Sequence, residues 1–201
     1  MSRCTGSPGR SAIDPARRYL LKAGAVASLS LLPIRARADS DDPRRKMRPQ
    51  AGDLLVRSEG DQETTVIAAS DVRIGDRPIV AWAMDPVARL PRDGSRLNQI
   101  LLLRLDPAAL GEVTKTHAAD GLVAYSAICT HAQCTVAGWV GDRQVLHCPC
   151  HQSEYDPRND AKVVAGPAPR PLAALPLRIN DGRPEVAASF IGKVGMSQQM
   201  M

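Results

Sequence analysis

The densest chemistry in this chain lies between Ile128 and Pro157, in ICTHAQCTVAGWVGDRQVLHCPCHQSEYDP. This stretch holds four of the five cysteines and three of the four histidines. Two pairs stand out: Cys129-x-His131 and Cys148-x-x-His151, with sixteen residues between them. Thiolates together with imidazoles suit iron–sulfur clusters, zinc and copper. The spacing therefore predicts a metal centre whose ligands come from two loops.

The elements that must position these loops are short strands. Runs rich in β-branched and aliphatic residues alternate with turn residues, and we expect strands at Asp53–Arg57, Thr64–Ala69, Pro78–Met84, Gln99–Leu105, Leu122–Ile128, Thr135–Val140, Gln144–Cys148, Leu175–Asn180 and Glu185–Phe190. Hairpin turns are expected at 140–144 and 180–183, and a helical turn at Asp106–Leu110. A hairpin over Thr135–Cys148 would bring the two ligand pairs together. The pattern predicts a small all-β domain.

CTH followed by CPCH resembles the signature of the Rieske 2Fe–2S family, in its disulfide-containing branch. The similarity covers residues from about Leu122 to Leu177. It implies an antiparallel β-sandwich with a small cluster-binding subdomain at about 122–170. It also implies one 2Fe–2S cluster, with one iron held by two cysteines and the other by two histidines.

The resemblance carries specific roles to residues of this chain. It implies that the iron ligands are Cys129, His131, Cys148 and His151. A disulfide would join Cys134 to Cys150, Ser153 and Tyr155 would donate hydrogen bonds to cluster sulfurs, and a proline-rich loop would cover the cluster, formed by Gly166, Pro167, Ala168 and Pro169.

The sequence departs from the quinol-oxidising pattern in both loops. Ala132-Gln133 stands where that branch usually has Leu-Gly, and Gln152 stands where it usually has Gly. No ligand changes, so cluster binding is expected to survive. The prediction of quinol docking is weaker, because the leucine that this chain lacks lies beside the exposed histidine in that branch.

The first 38 residues resemble a twin-arginine export signal. Arg17 and Arg18 precede an apolar stretch from Ala23 to Leu32, and Ala36-Arg37-Ala38 has the form of a cleavage site. We expect export of the folded chain to the periplasm, with the leader cleaved. If the leader is retained, the chain stays attached to the membrane. Cys4 lies in the leader.

The charge distribution argues against nucleic-acid binding. The chain has 26 Lys and Arg against 21 Asp and Glu. Seven of the basic residues and one acidic residue lie in the first 38, which leaves 19 basic and 20 acidic residues. The basicity belongs to the leader. We expect a linker or surface arm at 39–50, the Rieske domain at 51–195 and a frayed tail at 196–201.

Three functions follow from this interpretation. The first is a periplasmic electron-transfer subunit of a redox complex, similar to the small subunit of arsenite oxidase. The second is the iron–sulfur subunit of a quinol–cytochrome c reductase, and the third is a zinc-stabilised binding module without redox activity. The expected partners are a c-type cytochrome or a larger oxidoreductase subunit, and quinol in the second case. In the redox interpretations the chain is part of an oxidoreductase rather than a self-contained enzyme.

Two histidines are not expected to be ligands. His147 adjoins Cys148, but alternation along a strand points its side chain to the opposite face. His117 follows a polar run and is expected to be solvated.

Overall fold

A computed structural model describes residues 42–58 and 65–196 of the chain. The described residues belong to one compact unit. The predicted leader at 1–38, including Cys4, and most of the predicted tail lie outside them. No helix within the described residues has the length and apolarity needed to cross a bilayer.

Eleven strands and one short helix make up the described structure. The strands are β1 Leu54–Arg57, β2 Ile79–Asp85, β3 Leu90–Pro91, β4 Ile100–Arg104, β5 Leu122–Ser126, β6 Gly138–Val140, β7 Val145–Cys148, β8 Ser153–Asp156, β9 Lys162–Ala165, β10 Leu177–Asn180 and β11 Arg183–Val186. The helix, α1, spans Glu112–Lys115. The expected all-β class is confirmed.

The strands form two antiparallel sheets. The larger sheet has the order β10-β11-β1-β2-β4-β5, with β3 paired to β2. The smaller sheet has the order β6-β7-β8-β9, so its strands follow one another in the sequence. The antiparallel sandwich with a small second sheet is the architecture that the resemblance implies.

The two faces of the larger sheet bury different side chains. In β4, Leu101 and Leu103 pack toward the smaller sheet, whereas Ile100 and Leu102 join the core on the opposite face. Strand β5 alternates in the same way and is buried at every position. Two-sided burial of this kind produces a continuous apolar run, and each fully buried leucine contributes about 2 kcal/mol. The core thus fixes the strand that leads into Cys129.

Short 3-10 turns connect several strands. They span Pro43–Lys46, Ala69–Asp71, Arg96–Asn98 and Pro107–Ala109. The last of these is the helical turn expected in 106–110, capped by the Asp106 side chain, which accepts a hydrogen bond from the Ala108 N–H at 2.9 Å. Both expected hairpin turns, at 140–144 and 180–183, are present.

The structure corrects several strand expectations. Residues 65–69 contain only an isolated bridge at Val66, β6 begins three residues later than expected, and β11 begins earlier. Strands β3, β8 and β9 were not predicted. These three short strands are defined by backbone hydrogen bonds to a neighbouring strand and not by an apolar repeat in the sequence.

Residues 42–50 form an arm that packs on the domain. The Asn98 side chain, fully buried, donates to the carbonyl of Met47 at 2.7 Å. Arg45 pairs with Asp93 at 2.5 Å. Of the two expectations for this segment, linker or surface arm, its described residues form the arm.

Candidate functional site

Two loops carry the predicted ligand pairs, and the two sheets hold them side by side. The first loop, residues 129–134, follows β5 after a short extension. The second, residues 148–152, joins β7 to β8. Cys148 pairs with Ser153 across that connection, so the second loop is a tight strand-to-strand turn.

Each loop is closed by the same backbone turn. The N–H of Gln133 donates to the carbonyl of Cys129, and the N–H of Gln152 donates to the carbonyl of Cys148, both at 3.1 Å. Both glutamines adopt left-handed backbone conformations, with φ of 58° and 60°. These are the positions where the quinol-oxidising branch usually has glycine, and glutamine adopts the same conformation here. The departures in sequence therefore leave the turns intact.

The thiols of Cys129 and Cys148 are free, buried and adjacent. Both side chains are 1% exposed, and the two thiols are within hydrogen-bonding reach of each other. Adjacent unpaired thiols in a buried position are the arrangement that a shared metal centre requires.

The surroundings of the two thiols differ. Burial raises the pKa of Cys129, but hydrogen bonds from the Tyr155 hydroxyl and from backbone N–H groups of the loop outweigh it, so the pKa is lowered. Burial raises the pKa of Cys148, and the neighbouring Cys129 raises it further. The pair therefore favours one thiolate, on Cys129.

The two predicted imidazole ligands also lie together. The rings of His131 and His151 have centroids 4.7 Å apart and are nearly perpendicular. His131 is half-buried and His151 is exposed. The Nδ1 atom of His131 is buried and has no hydrogen-bond partner among the described residues. A buried nitrogen without a partner is costly unless a ligand occupies it.

The two residues predicted to tune the site lie next to the two thiol residues: Tyr155 contacts Cys129, and Ser153 is the strand partner of Cys148. The Tyr155 hydroxyl lies 3.1 Å from the sulfur of Cys129 and accepts a hydrogen bond from the Thr130 N–H at 3.3 Å. Its pKa is raised, first by burial and then by the contact with Cys129, so it stays protonated and donates to the sulfur. The Ser153 hydroxyl is buried without a partner among the described residues. Tyr155 thus already donates to a sulfur, and the Ser153 hydroxyl has a proton that it can still donate.

A disulfide joins the two loops. Cys134 and Cys150 are bonded to each other, as the resemblance implies, across a sequence separation of 16 residues. The sulfur of Cys148 lies within 4.8 Å of both. Because Cys134 and Cys150 are consumed in the disulfide, they offer no thiolate to a metal. Cys129 and Cys148 are left as the thiol donors.

The proline-rich segment packs on the second loop through Gly166. This glycine has φ of 80°, and a Cβ there would lie 2.5 Å from the Cα of Ser153 and 2.6 Å from the carbonyl oxygen of Gln152. Only glycine allows this approach of two backbones. Ala168 is buried, whereas Pro167 and Pro169 are exposed. The segment thus presents prolines at the surface beside the second loop.

Replacing Gly166 with alanine is expected to lower the free energy of unfolding by roughly 3 kcal/mol. The cost of a left-handed backbone conformation for alanine and the cost of the clash with the second loop's backbone add together. Gly182→Ala is the matched control. Gly182 also has positive φ, 71°, but nothing lies within 4 Å of the added Cβ, so a loss of only about 1 kcal/mol is expected. Denaturant unfolding of both variants measures the difference. Equal losses would contradict the close packing of this segment.

The residues present fit a 2Fe–2S cluster with mixed ligation. Two buried free thiols and two adjacent imidazoles supply the donor set, and a buried imidazole nitrogen and a buried hydroxyl lack partners. A tetrahedral zinc ion would use the same four donors but would leave the two buried hydroxyls beside the thiols unexplained. The cluster fits the site better.

Sequence reasoning missed four hydrogen bonds in and beside the site. Arg96, on the 3-10 turn before β4, donates to the carbonyl of Gln133 in the first loop. Thr130 donates to the carbonyl of Arg170 at 2.7 Å, which ties the first loop to the proline-rich segment. Arg170 in turn donates to the carbonyls of Lys193 and Gly195. All four hydrogen bonds span more than twenty residues, and no local sequence pattern predicts them.

His147 and His117 lie outside the site. The ring of His147 faces Gly138 and contacts the Gln152 side-chain oxygen at 2.9 Å. The expectation that His117 is solvated was wrong: it is 3% exposed. Its Nε2 atom lies 3.1 Å from Asp160 Oδ1, and its ring packs edge-on against Tyr125. The contact with the carboxylate of Asp160, 43 residues away in the sequence, gives this buried histidine a polar partner.

Comparison with known proteins places the same residues in a family. The model of the Rieske [2Fe-2S] domain matches residues 98–176. The cytochrome bc1 complex Rieske iron-sulfur subunit of Streptomyces lividans is 33% identical over 153 residues, which cover 72% of this chain and 85% of that protein. The corresponding subunit of Streptomyces coelicolor is 31% identical over 195 residues, covering 89% of this chain and 53% of that protein.

A Haloferax mediterranei protein, named as a Rieske subunit of a respiratory nitrate reductase, is 37% identical over 107 residues. These cover 52% of this chain and 48% of that protein. The chain thus spans about half the length of this relative and of the Streptomyces coelicolor subunit.

Proposed function

Because this chain belongs to the Rieske 2Fe–2S family, we propose that it is the iron–sulfur electron-transfer subunit of a cytochrome bc1-type complex. The observation that carries the proposal is the convergence of the two buried thiols and the two imidazoles in one site. The bc1 subunits among its relatives support the type of complex. This proposal takes the place of the arsenite-oxidase-like complex as the first candidate, because the two Streptomyces relatives are bc1 subunits.

The residues divide the work of holding the cluster. Cys129 and Cys148, both buried, would hold the inner iron, and His131 and His151, nearer the surface, would hold the outer iron. The cluster supplies a centre that takes up and releases one electron at a higher potential than all-cysteine clusters. The exposed His151 is the side chain through which a partner would approach.

The protein tunes the site through the groups around the sulfurs. Tyr155, Ser153 and the loop N–H groups stabilise added negative charge. The disulfide and the two closing turns keep the loops in one arrangement, so that little has to move when the charge changes. The chain's own residues therefore adjust the midpoint potential of the cluster and supply the rigidity that electron transfer needs.

Changing Tyr155 to phenylalanine is expected to lower the midpoint potential while leaving the cluster in place. The lost O–H donor to the Cys129 sulfur is worth about 1.4 kcal/mol more in the reduced state, which corresponds to roughly 60 mV for one electron. Redox titration followed by EPR measures the shift.

Tyr125→Phe is the matched control for this change. Tyr125 is also fully buried, but its hydroxyl donates to the carbonyl of Pro157 at 2.7 Å and not to a thiol. Its loss is expected to lower stability and to leave the potential unchanged. If wild type and Tyr155→Phe had the same midpoint potential, the proposal that Tyr155 raises the potential would be wrong.

The proposed function has a direct test in two steps. Metal analysis of the purified chain is expected to give two irons and two acid-labile sulfides per chain, as a single 2Fe–2S cluster requires. Membranes that contain the chain are then mixed with quinol, and cluster reduction is followed by EPR. Stoichiometric zinc without sulfide would overturn the redox function, and a cluster that quinol does not reduce would overturn the bc1 assignment alone.

A second candidate is the Rieske subunit of another oxidoreductase. The similarity to the Haloferax mediterranei protein favours it, as does the lack of the usual leucine beside His131. A cluster that forms normally but is reduced by no quinol would select this candidate.

We also propose that the chain works in the periplasm. The disulfide between Cys134 and Cys150 supports an oxidising compartment, and the twin arginines at 17–18 support export of the folded chain. Twin-arginine export suits a cluster protein, because an unfolded chain would cross without its cluster. Cell fractionation of the wild type beside Arg17→Lys/Arg18→Lys tests the route: a variant that still reaches the periplasm would contradict it.

A further inference from the structure

We propose that a basic strip formed by Lys46, Arg48 and Arg96 is the docking surface for an acidic face of the protein that exchanges electrons with this chain. The inference rests on the proposed electron-transfer function and extends it to the chemistry of the partner.

The strip is continuous although its residues come from two segments. The Lys46 side chain lies against Gly94, where an added Cβ would meet its Cγ at 3.0 Å. Arg48 donates to the carbonyl of Leu97 at 2.7 Å, and Arg96 is the neighbour of Leu97 in the 3-10 turn. All three strip residues are exposed. They therefore present one positively charged surface.

The other basic residues of the arm are already neutralised. Arg44 pairs with Asp42 at 2.6 Å, and Arg45 pairs with Asp93 at 2.5 Å. In the part of the chain that the structure describes, no strip residue forms an ion pair. Three positive charges are thus available to a partner.

The strip is held in place by buried contacts beneath it. The fully buried Asn98 side chain donates to the carbonyls of Met47 and Arg92, at 2.7 and 2.9 Å. Arg92 itself is buried and paired with Asp53. The arm and the 3-10 turn therefore form a fixed surface, which lowers the entropy cost of binding to it.

One end of the strip reaches the candidate cluster site. The Arg96 guanidinium donates to the carbonyl of Gln133, and the N–H of Gln133 closes the turn on Cys129. Gln133 is two residues from His131. A partner that binds the strip therefore sits at the rim of the site where electrons would leave or enter.

The charge of the strip acts on an acidic partner before contact. Lys46, Arg48 and Arg96 carry three exposed positive charges on one side of the described structure, so an acidic partner is attracted to this side. Electrostatic attraction of this kind raises association rates by about 10-fold to 1,000-fold and falls with ionic strength.

A protein partner accounts for the position better than a membrane does. Anionic lipid headgroups would attract a basic surface anywhere on the domain. Only a partner that exchanges electrons requires the strip to end at a ligand loop. Binding to lipid is therefore the alternative that the experiment must separate.

The experiment measures electron exchange between the reduced, cluster-loaded full chain and two small oxidants by stopped flow. Ferricyanide is anionic, and tris(phenanthroline)cobalt(III) is cationic. The variant is Lys46→Gln/Arg48→Gln/Arg96→Gln. Between about 0.01 M and 0.15 M ionic strength the Debye length falls from about 30 to 8 Å. At the low end we expect ferricyanide to react several-fold more slowly with the variant and the cobalt complex to react faster.

Two further variants separate charge from structure. Arg73→Gln/Lys162→Gln/Arg183→Gln removes the same net charge from exposed residues outside the strip and is expected to behave like wild type. Lys46→Arg/Arg48→Lys/Arg96→Lys keeps the strip's charge and is expected to restore the wild-type rates. Equal salt dependence in the strip variant and wild type would overturn the proposal.

Binding to a polyglutamate peptide tests the surface without the cluster. The strip variant is expected to bind more weakly than the matched charge control, and equal affinities would overturn the proposal. Sedimentation with phosphatidylglycerol vesicles covers the alternative: vesicle binding that needs the strip, with unchanged oxidant rates, would make the strip a lipid contact. If the purified chain holds no cluster, the proposed electron-transfer function is wrong. The peptide measurement still tests whether the strip binds an acidic partner.

Discussion

Replacing His131 with alanine is expected to abolish the Rieske-type EPR spectrum of the reduced chain. His131 and His151 face each other at the site, and removal of one imidazole leaves three donors for a cluster that needs four. The wild type, reduced with dithionite, is expected to show a rhombic spectrum with an average g below that of all-cysteine clusters. The variant is expected to contain little iron and no such signal.

His147→Ala is the matched control for this loss. His147 adjoins Cys148 in the sequence, but its ring lies over Gly138, on the other face of the strand. The control is expected to keep the signal. A normal spectrum from His131→Ala, or the loss of the signal from both variants, would contradict the proposed ligand set.

Removing the disulfide with Cys134→Ser/Cys150→Ser is expected to lower the free energy of unfolding by about 3 kcal/mol, the value for a closed loop of this size. The bond spans 16 residues and joins the two ligand loops. Without it, each loop keeps its own closing turn, but the two can separate. Denaturant unfolding gives the stability, and the decay of visible absorbance gives the rate of cluster loss, which is expected to rise.

Ala132→Ser is the control for the disulfide variant. It changes an exposed side chain of the first ligand loop and leaves the Cys134–Cys150 bond in place, and it is expected to change neither quantity. If the double variant matched wild type in both stability and cluster retention, the disulfide would have no role in holding the loops.

Much of the fold was predictable because its determinants are local. The runs that became β2, β4 and β5 are apolar on both faces, and turn residues bound the two hairpins. The candidate ligand residues stood out for another reason: thiolates and imidazoles at this spacing leave few chemistries open. Their binding of iron, which the family resemblance implies, stays a prediction. The pairing of Cys134 with Cys150 came from the family resemblance and agrees with the disulfide in the structure.

The misses share a physical cause, which is that their contacts are distant in sequence. Strand β8 reads Ser-Glu-Tyr-Asp and has no apolar repeat, yet Ser153 and Tyr155 are buried, and the Tyr155 hydroxyl contacts the Cys129 sulfur. Strand β9 is mostly exposed and is defined by its pairing with β8. His117 is buried because Asp160 lies beside it. None of these partners can be identified from neighbouring residues.

The strand order also determines when the domain can be completed during synthesis. β1, near the start of the domain, pairs with β2 on one side and with β11 on the other. The ribosome therefore makes β1 more than a hundred residues before its second neighbour. The small sheet, β6 to β9, is a run of consecutive strands with local contacts, and such units fold fast. Both ligand loops are thus translated and can close while one edge of β1 is still open, so the binding site can be ready before the domain around it is finished.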